Sequence, residues 1–171
     1  MKTTVLVIHP NIKQSRVNAA LAKGAADVAG VEVRYLYDLY PDGKIDATTE
    51  QAVLEKADRI VLQFPMYWYN SPALLKQWLD DVLAYGWAYG DKQALKGKEL
   101  MVAVTTGGGE EFYQKDGLAG HTVSEFLVAY ETIASYLGMN YGKMFVTGNC
   151  LNISNDEIAA QVPRYQAVLS A

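Results

Sequence analysis

The sequence predicts an α/β domain built on a five-stranded parallel sheet, strand order 2-1-3-4-5, with helices on both faces. Two features of the 171 residues predict it: short apolar runs rich in β-branched residues alternate with segments of helical periodicity, and the runs end in turns without hairpin signals. A third is the count of five such strand-helix units, which with right-handed crossovers leaves few other topologies.

Val5-Leu6-Val7-Ile8 reads as a strand buried on both faces, ending at His9-Pro10-Asn11. Val17, Ala20, Leu21, Ala25 and Val28 then recur at helical spacing, with Ser15 placed to cap the start and Gly30 to end the helix. Val31 to Leu36 alternates as a half-buried strand, and Thr48-Thr49-Glu50-Gln51 reads as a capping box ahead of a short helix. Arg59 to Phe64 is the third strand, stopped by Pro65. Ser71-Pro72 reads as an N-cap followed by proline at the first helical position, ahead of the stripe Leu74, Leu75, Trp78, Leu79, Val82 and Leu83. After the aromatic loop Tyr85 to Gly90 comes the fourth strand, Leu100 to Val104. A helix carrying Val123, Phe126, Leu127, Tyr130, Ile133 and Leu137 is closed by Gly138. A fifth strand around Met144 to Thr147 and a last helix capped by Ser154 with Glu157 complete a single domain over 1–171.

Composition narrows the function classes. Half of the residues are apolar and a fifth charged, and the net charge of −4 leaves no basic footprint for nucleic acid or an anionic membrane. The one cysteine, Cys150, excludes an internal disulfide and any CxxC motif, and two histidines exclude a His-rich metal site. The adjacent Asp80 and Asp81 point to different sides of a helix and form no shared acid pair. No run reaches the roughly 20 apolar residues of a membrane span. The expectation is a soluble cytoplasmic protein.

In a sheet of this order ligands sit beyond the carboxyl ends of the strands at the switch point, which singles out the turns after strands 1, 3 and 4. The first, His9 to Asn18, is a polar turn leading into a helix N-terminus, where free N–H groups and the helix dipole favour an anion. Ser15, Arg16, Asn18 and His9 can add donors; equally, Ser15 can be a simple cap. The turn has neither GxGxxG nor GxxxxGK[ST], so neither a Rossmann dinucleotide site nor a P-loop is supported. The second, Phe64 to Pro72, carries Tyr67-Trp68-Tyr69, aromatic surface suited to a flat ring, a second subunit or the core. The third, Thr105-Thr106-Gly107-Gly108-Gly109, can present bare amides to a ligand or serve as a flexible loop. Together the three suit a molecule with a phosphate at one end and a flat polar ring at the other, the shape of flavin mononucleotide.

At these residues the chain resembles the NAD(P)H:quinone oxidoreductase family of flavodoxin-like flavoproteins. The resemblance runs over nearly the whole chain: His9, Pro10, Ser15 and Asn18; Phe64 to Tyr69; Pro72 to Asp80; Gly86 to Gly90; and Thr105 to Gly109. It is most similar to the short bacterial members, including the ancillary flavoproteins of glutathione-gated potassium efflux systems. The resemblance implies FMN, favoured over FAD by the short chain. Its phosphate would be held by His9, Ser15, Arg16, Val17 and Asn18, and its ring by Pro65, Met66, Tyr67, Trp68, Thr105, Thr106, Gly107 and Gly108. It further implies ping-pong hydride transfer from NAD(P)H to a quinone, a homodimer with the flavin at its interface, and stacking walls from Trp68 and the Trp87 to Tyr89 loop. The longer members carry a Tyr and His pair after the glycine turn; Tyr113 and His121 fall in that region at a different spacing and are the candidate catalytic residues. Two other readings stand beside this one: a regulatory subunit of a potassium-efflux system with a membrane transporter as partner, and a one-electron carrier, which the modest charge and the glycine-free first turn disfavour.

Overall fold

A computed structural model describes residues 1–171. Thr3–Val7 (β1), Val31–Tyr35 (β2), Arg59–Pro65 (β3) and Glu99–Thr105 (β4) form a parallel sheet in the order β2-β1-β3-β4. Beyond β4, where one fifth strand was expected, lie two: Asn140–Tyr141 (β5) beside Glu99 and Leu100, and Phe145–Thr147 (β6) beside Ala103 to Thr105. They are one edge track interrupted at 142–144, where Gly142 still donates to the Leu100 carbonyl. Two residues of middling polarity carry no readable strand period, so only the second half was visible in the sequence.

The period of two along each strand sorts the core. Leu6, Ile8, Ile60, Leu62, Phe64, Leu100, Val102 and Val104 face one side, under Leu36–Leu39 (α2), Ala47–Lys56 (α3), Ala73–Val82 (α4) and Val128–Tyr136 (α6). Val5, Val7, Val61, Met101 and Ala103 face the other, under Val17–Ala26 (α1) and Asn155–Ser170 (α7).

Three local expectations are corrected. The cap of α3 is Asp46, whose carboxylate accepts from the Thr49 amide at 3.0 Å; Thr48 to Gln51 lie inside the helix. The cap position of α4 is Pro72, with no side-chain hydrogen bond, so Ser71 lies outside the helix. The single helix expected over 123–137 is broken at Leu127 into Val123–Phe126 (α5) and α6, and Thr122 with Glu125 forms a capping box at its start. Gly138 closes it at φ +67, and Ser154 with Glu157 caps α7 as expected.

Glu50, inside α3, is fully buried. Its carboxylate accepts from Arg34, from the Tyr40 hydroxyl at 2.7 Å and from Trp78 Nε1 at 3.0 Å, tying β2, α3 and α4 together. A carboxylate out of water is tolerated because a cation and two further donors replace its hydration.

Candidate functional site

The order reversal between β1 and β3 gathers the three turns at the carboxyl edge of the sheet, where Pro65 and Thr105 stand in register. The Ile8 amide still donates to the Gln63 carbonyl, and the chain leaves the sheet only at His9. His9 Nδ1 accepts from the Asn11 amide at 3.0 Å, which keeps the ring proton on Nε2. Burial lowers the His9 pKa and so favours the neutral ring.

Ser15 Oγ accepts from the Asn18 amide at 3.1 Å, the geometry of a helix cap. The cap reading therefore holds, and it leaves the Arg16 and Val17 amides without a partner, free for an anion. The Val17 side chain is buried, so this residue can offer an anion only its backbone. Asn18 is also turned inward: its amide nitrogen donates to Thr105 Oγ1 at 2.8 Å, and its backbone carbonyl accepts from Gln63 Nε2 at 2.9 Å. It fastens the first turn to the third. Arg16 reaches to Asn155 Oδ1, at the start of α7, at 2.7 Å.

In the second turn Tyr67 and Asn70 exchange backbone hydrogen bonds of 2.8 and 3.1 Å, closing a two-residue hairpin with Trp68 at φ 48 and Tyr69 at φ 64. Such turns favour Asn-Gly, because both positions are left-handed. Placing two aromatic residues there strains the backbone by about 1–3 kcal/mol per residue. Trp68 is 93% exposed, so no packing inside the chain offsets the strain at that residue.

The third turn is joined to the second by the Met66 amide, which donates to the Thr105 carbonyl at 2.8 Å. Its other carbonyls are taken from behind: Thr106 accepts from Cys150 N at 3.0 Å and Gly108 from Asn149 N at 2.8 Å. The amides of Gly107, Gly108 and Gly109 donate to nothing in the protein and are the free polarity of the turn. None of the three has a positive φ, and the fit is tight: a Cβ on Gly108 would stand 3.0 Å from the Phe112 ring and one on Gly107 3.3 Å from the exposed Leu151 side chain.

An aromatic chain extends from the second turn to the segment after the glycines. Tyr69 stacks on Phe126 at 4.7 Å, and Tyr113 and His121 meet the same ring edge-on at 6.3 and 5.6 Å. Both candidates thus gather around Phe126 despite their irregular spacing. Tyr113 is buried and its pKa raised by desolvation, so it stays protonated; His121 is exposed, 3.7 Å from Glu125. Cys150 is half-buried and donates to the Thr147 carbonyl.

The expected wall from Trp87 to Tyr89 is not at this site within one chain. Trp87 is buried, with Nε1 on Glu55 at 2.7 Å, and Tyr89 leans on Tyr136. Glu55 precedes β3, and the chain after Tyr136 leads to β5 beside the start of β4, so this loop lies at the amino edge of the sheet.

The geometry therefore offers free amides with a neutral imidazole at one end, and exposed aromatic surface beside free glycine amides at the other. The residues fit a phosphate-bearing flat ring, and the strained Trp68-Tyr69 turn is explained if a ring covers it.

The family described as flavodoxin-like fold matches residues 1–169. Among curated relatives, an uncharacterized NAD(P)H oxidoreductase, YrkL, from Bacillus subtilis is 42% identical over 100% of this chain and 99% of its own. The glutathione-regulated potassium-efflux system ancillary protein KefF of Klebsiella aerogenes is 43% identical, covering 95% and 91%. Among solved structures, general stress protein 14 of Treponema denticola in complex with FMN superposes with a TM-score of 0.94 at 40% identity, covering 99% and 98%. A chain described as a tryptophan halogenase from Streptomycin violaceusniger superposes at 0.96 with 44% identity, covering 98% of each.

Proposed function

The chain belongs to the flavodoxin-like fold family, and from that premise we propose that it is an FMN-dependent NAD(P)H:quinone oxidoreductase. The observation that carries this reading is the meeting, at adjacent strand ends, of the unpaired Arg16 and Val17 amides with the exposed, strained Trp68-Tyr69 turn. The relative named an NAD(P)H oxidoreductase and the FMN complex of general stress protein 14 support it. The halogenase description of one neighbour stands apart from both and is not carried over.

His9, Ser15 and the first amides of α1 hold the phosphate, and Arg16 adds its charge. Asn18 keeps the first and third turns together. Pro65 to Trp68 and Thr105 to Gly108 hold the ring. When bound, FMN supplies two-electron hydride transfer, from NAD(P)H and then to a quinone in ping-pong order. The Gly107 and Gly108 amides stabilise negative charge at the polar edge of the ring without a titrating side chain. Tyr113, held protonated by burial, is a donor at the same end.

The reading includes a homodimer. Tyr85, Val128 and Tyr136 are exposed on the side of α4 and α6, and a cleft of about 550 Å3 between these helices is lined by Leu79, Ala129 and Ile133. A second copy would cover this apolar surface. The 43% identity to KefF favours a second reading, a regulatory subunit of a potassium-efflux system; no helix here is long and apolar enough to cross a membrane, so the transporter would be a separate chain.

The test is the visible spectrum of the purified protein, with the chromophore identified after denaturation and the native sample titrated anaerobically with NADPH and then a quinone. Bound FMN that bleaches and recovers supports the enzyme reading. Protein that binds FMN but passes no electrons to any quinone supports the regulatory one, and protein that takes up no flavin overturns both.

A further inference from the structure

A cavity of about 640 Å3 opens behind the glycine turn, between the 110–122 segment, β6 and α7. The size is that of a small-molecule site. It begins at Thr106, Gly109 and Tyr113, residues of or next to the candidate flavin cradle, and runs to walls that include Lys143 and Arg164. Neither cation takes part in an ion pair; Arg164 donates only to Gln161 Oε1, at 3.2 Å. The one carboxylate of the lining, Glu110, directly follows the glycines, whereas the cations come from the β5–β6 link and from α7.

We propose that this cavity receives the adenosine 2′-phosphate half of NADPH, with Lys143 and Arg164 on the phosphate. The proposal rests on the oxidoreductase reading and adds to it the choice of donor. A dinucleotide whose nicotinamide lies over the ring must send its other half away from the cradle, and this cavity shares Thr106 with the cradle and adjoins it through Gly109. Selection of a 2′-phosphate over a 2′-hydroxyl calls for cations without carboxylate partners, and an arginine is suited to a phosphate. Val146 and Val168 supply apolar surface for a purine, and Gln114 and Ser124 supply polar partners for its edge or the ribose.

The test has two arms. Calorimetry with adenosine 2′,5′-bisphosphate and with 5′-AMP, on the purified protein, is expected to show the bisphosphate binding at least tenfold tighter. Lys143→Gln/Arg164→Gln is expected to erase that difference while leaving FMN uptake intact. In the flavin-loaded protein the same substitutions raise KM for NADPH at least tenfold, with kcat and the KM for NADH unchanged. Equal binding of the two nucleotides, no binding of either, or a KM change shared by NADPH and NADH overturns the proposal. Protein that takes up no FMN yet selects the bisphosphate loses the enzyme reading and keeps this site; protein that takes up FMN and does not select it keeps the enzyme reading and loses the site.

Discussion

The side-chain amide of Asn18 donates to Thr105 Oγ1 at 2.8 Å, joining the first turn of α1 to the end of β4 beneath the candidate site. Both residues are buried, so the bond is shielded from water. Asn18→Leu leaves the threonine hydroxyl without its donor and is expected to lower stability by about 1–3 kcal/mol. It also frees the third turn from the first and should weaken FMN uptake. Urea unfolding and flavin fluorescence titration check the two effects; a loss under 0.5 kcal/mol would show that water replaces the amide.

Trp68 occupies a left-handed position and is 93% exposed. Trp68→Gly relieves the strain and removes almost no packing, so the apoprotein should gain about 1 kcal/mol while flavin affinity falls. Thermal unfolding with and without FMN measures both. A variant less stable than the parent would mean that the turn is not strained.

Buried Glu50 pairs with part-buried Arg34, which also lies 3.5 Å from Glu32, and accepts from Tyr40 and Trp78. Glu50→Ala takes the acceptor from Tyr40 and Trp78 and leaves Arg34 with Glu32 alone, at 3.5 Å, and should destabilise by about 3 kcal/mol, the low end for a broken buried pair. Adding Arg34→Leu should restore part of that loss, because the part-buried guanidinium that has lost its Glu50 partner is then removed. Denaturant midpoints of the single and double variants decide this, and no recovery would mean that the volume of Glu50 matters more than its charge.

Burial and the hydrogen bond to Glu50 push the Tyr40 pKa up to about 12. The folded protein therefore keeps this proton after the unfolded chain, with a phenol near 10, has lost it. The stability linked to Tyr40 is fully present below about pH 10 and is lost as pH rises from there through about 12. In Tyr40→Phe the fall of stability over that window should be shallower by up to one proton. Unfolding free energies measured from pH 9 to 12 test it; parallel curves for the two proteins would contradict it.

Much of this protein was legible one segment at a time. The β-branched run Val5 to Ile8, the boxed cap Ser154 with Glu157 and the Gly138 stop act over a few residues, and each formed where its local chemistry dictated. The order of elements then placed the turns after β1, β3 and β4 at one edge, since parallel strands must all end on the same side. Partner choice was not legible, because it is made between residues far apart in the chain. Glu50 read as one residue within a Thr48 to Gln51 capping box, and only the approach of Arg34, Tyr40 and Trp78 made it a buried ion. Asn18 looked like a phosphate donor, and only β4 alongside α1 gave it Thr105. Trp87 looked like a neighbour of Trp68, but a helix running back across the sheet carried its loop to the opposite edge, where Glu55 holds it. The sequence by itself determined the elements, their order and the three turns, all consequences of short-range propensity and strand direction; the tertiary structure decided which polar side chains became ligands of one another and which stayed free, because burial leaves each donor only the acceptors that packing brings within reach.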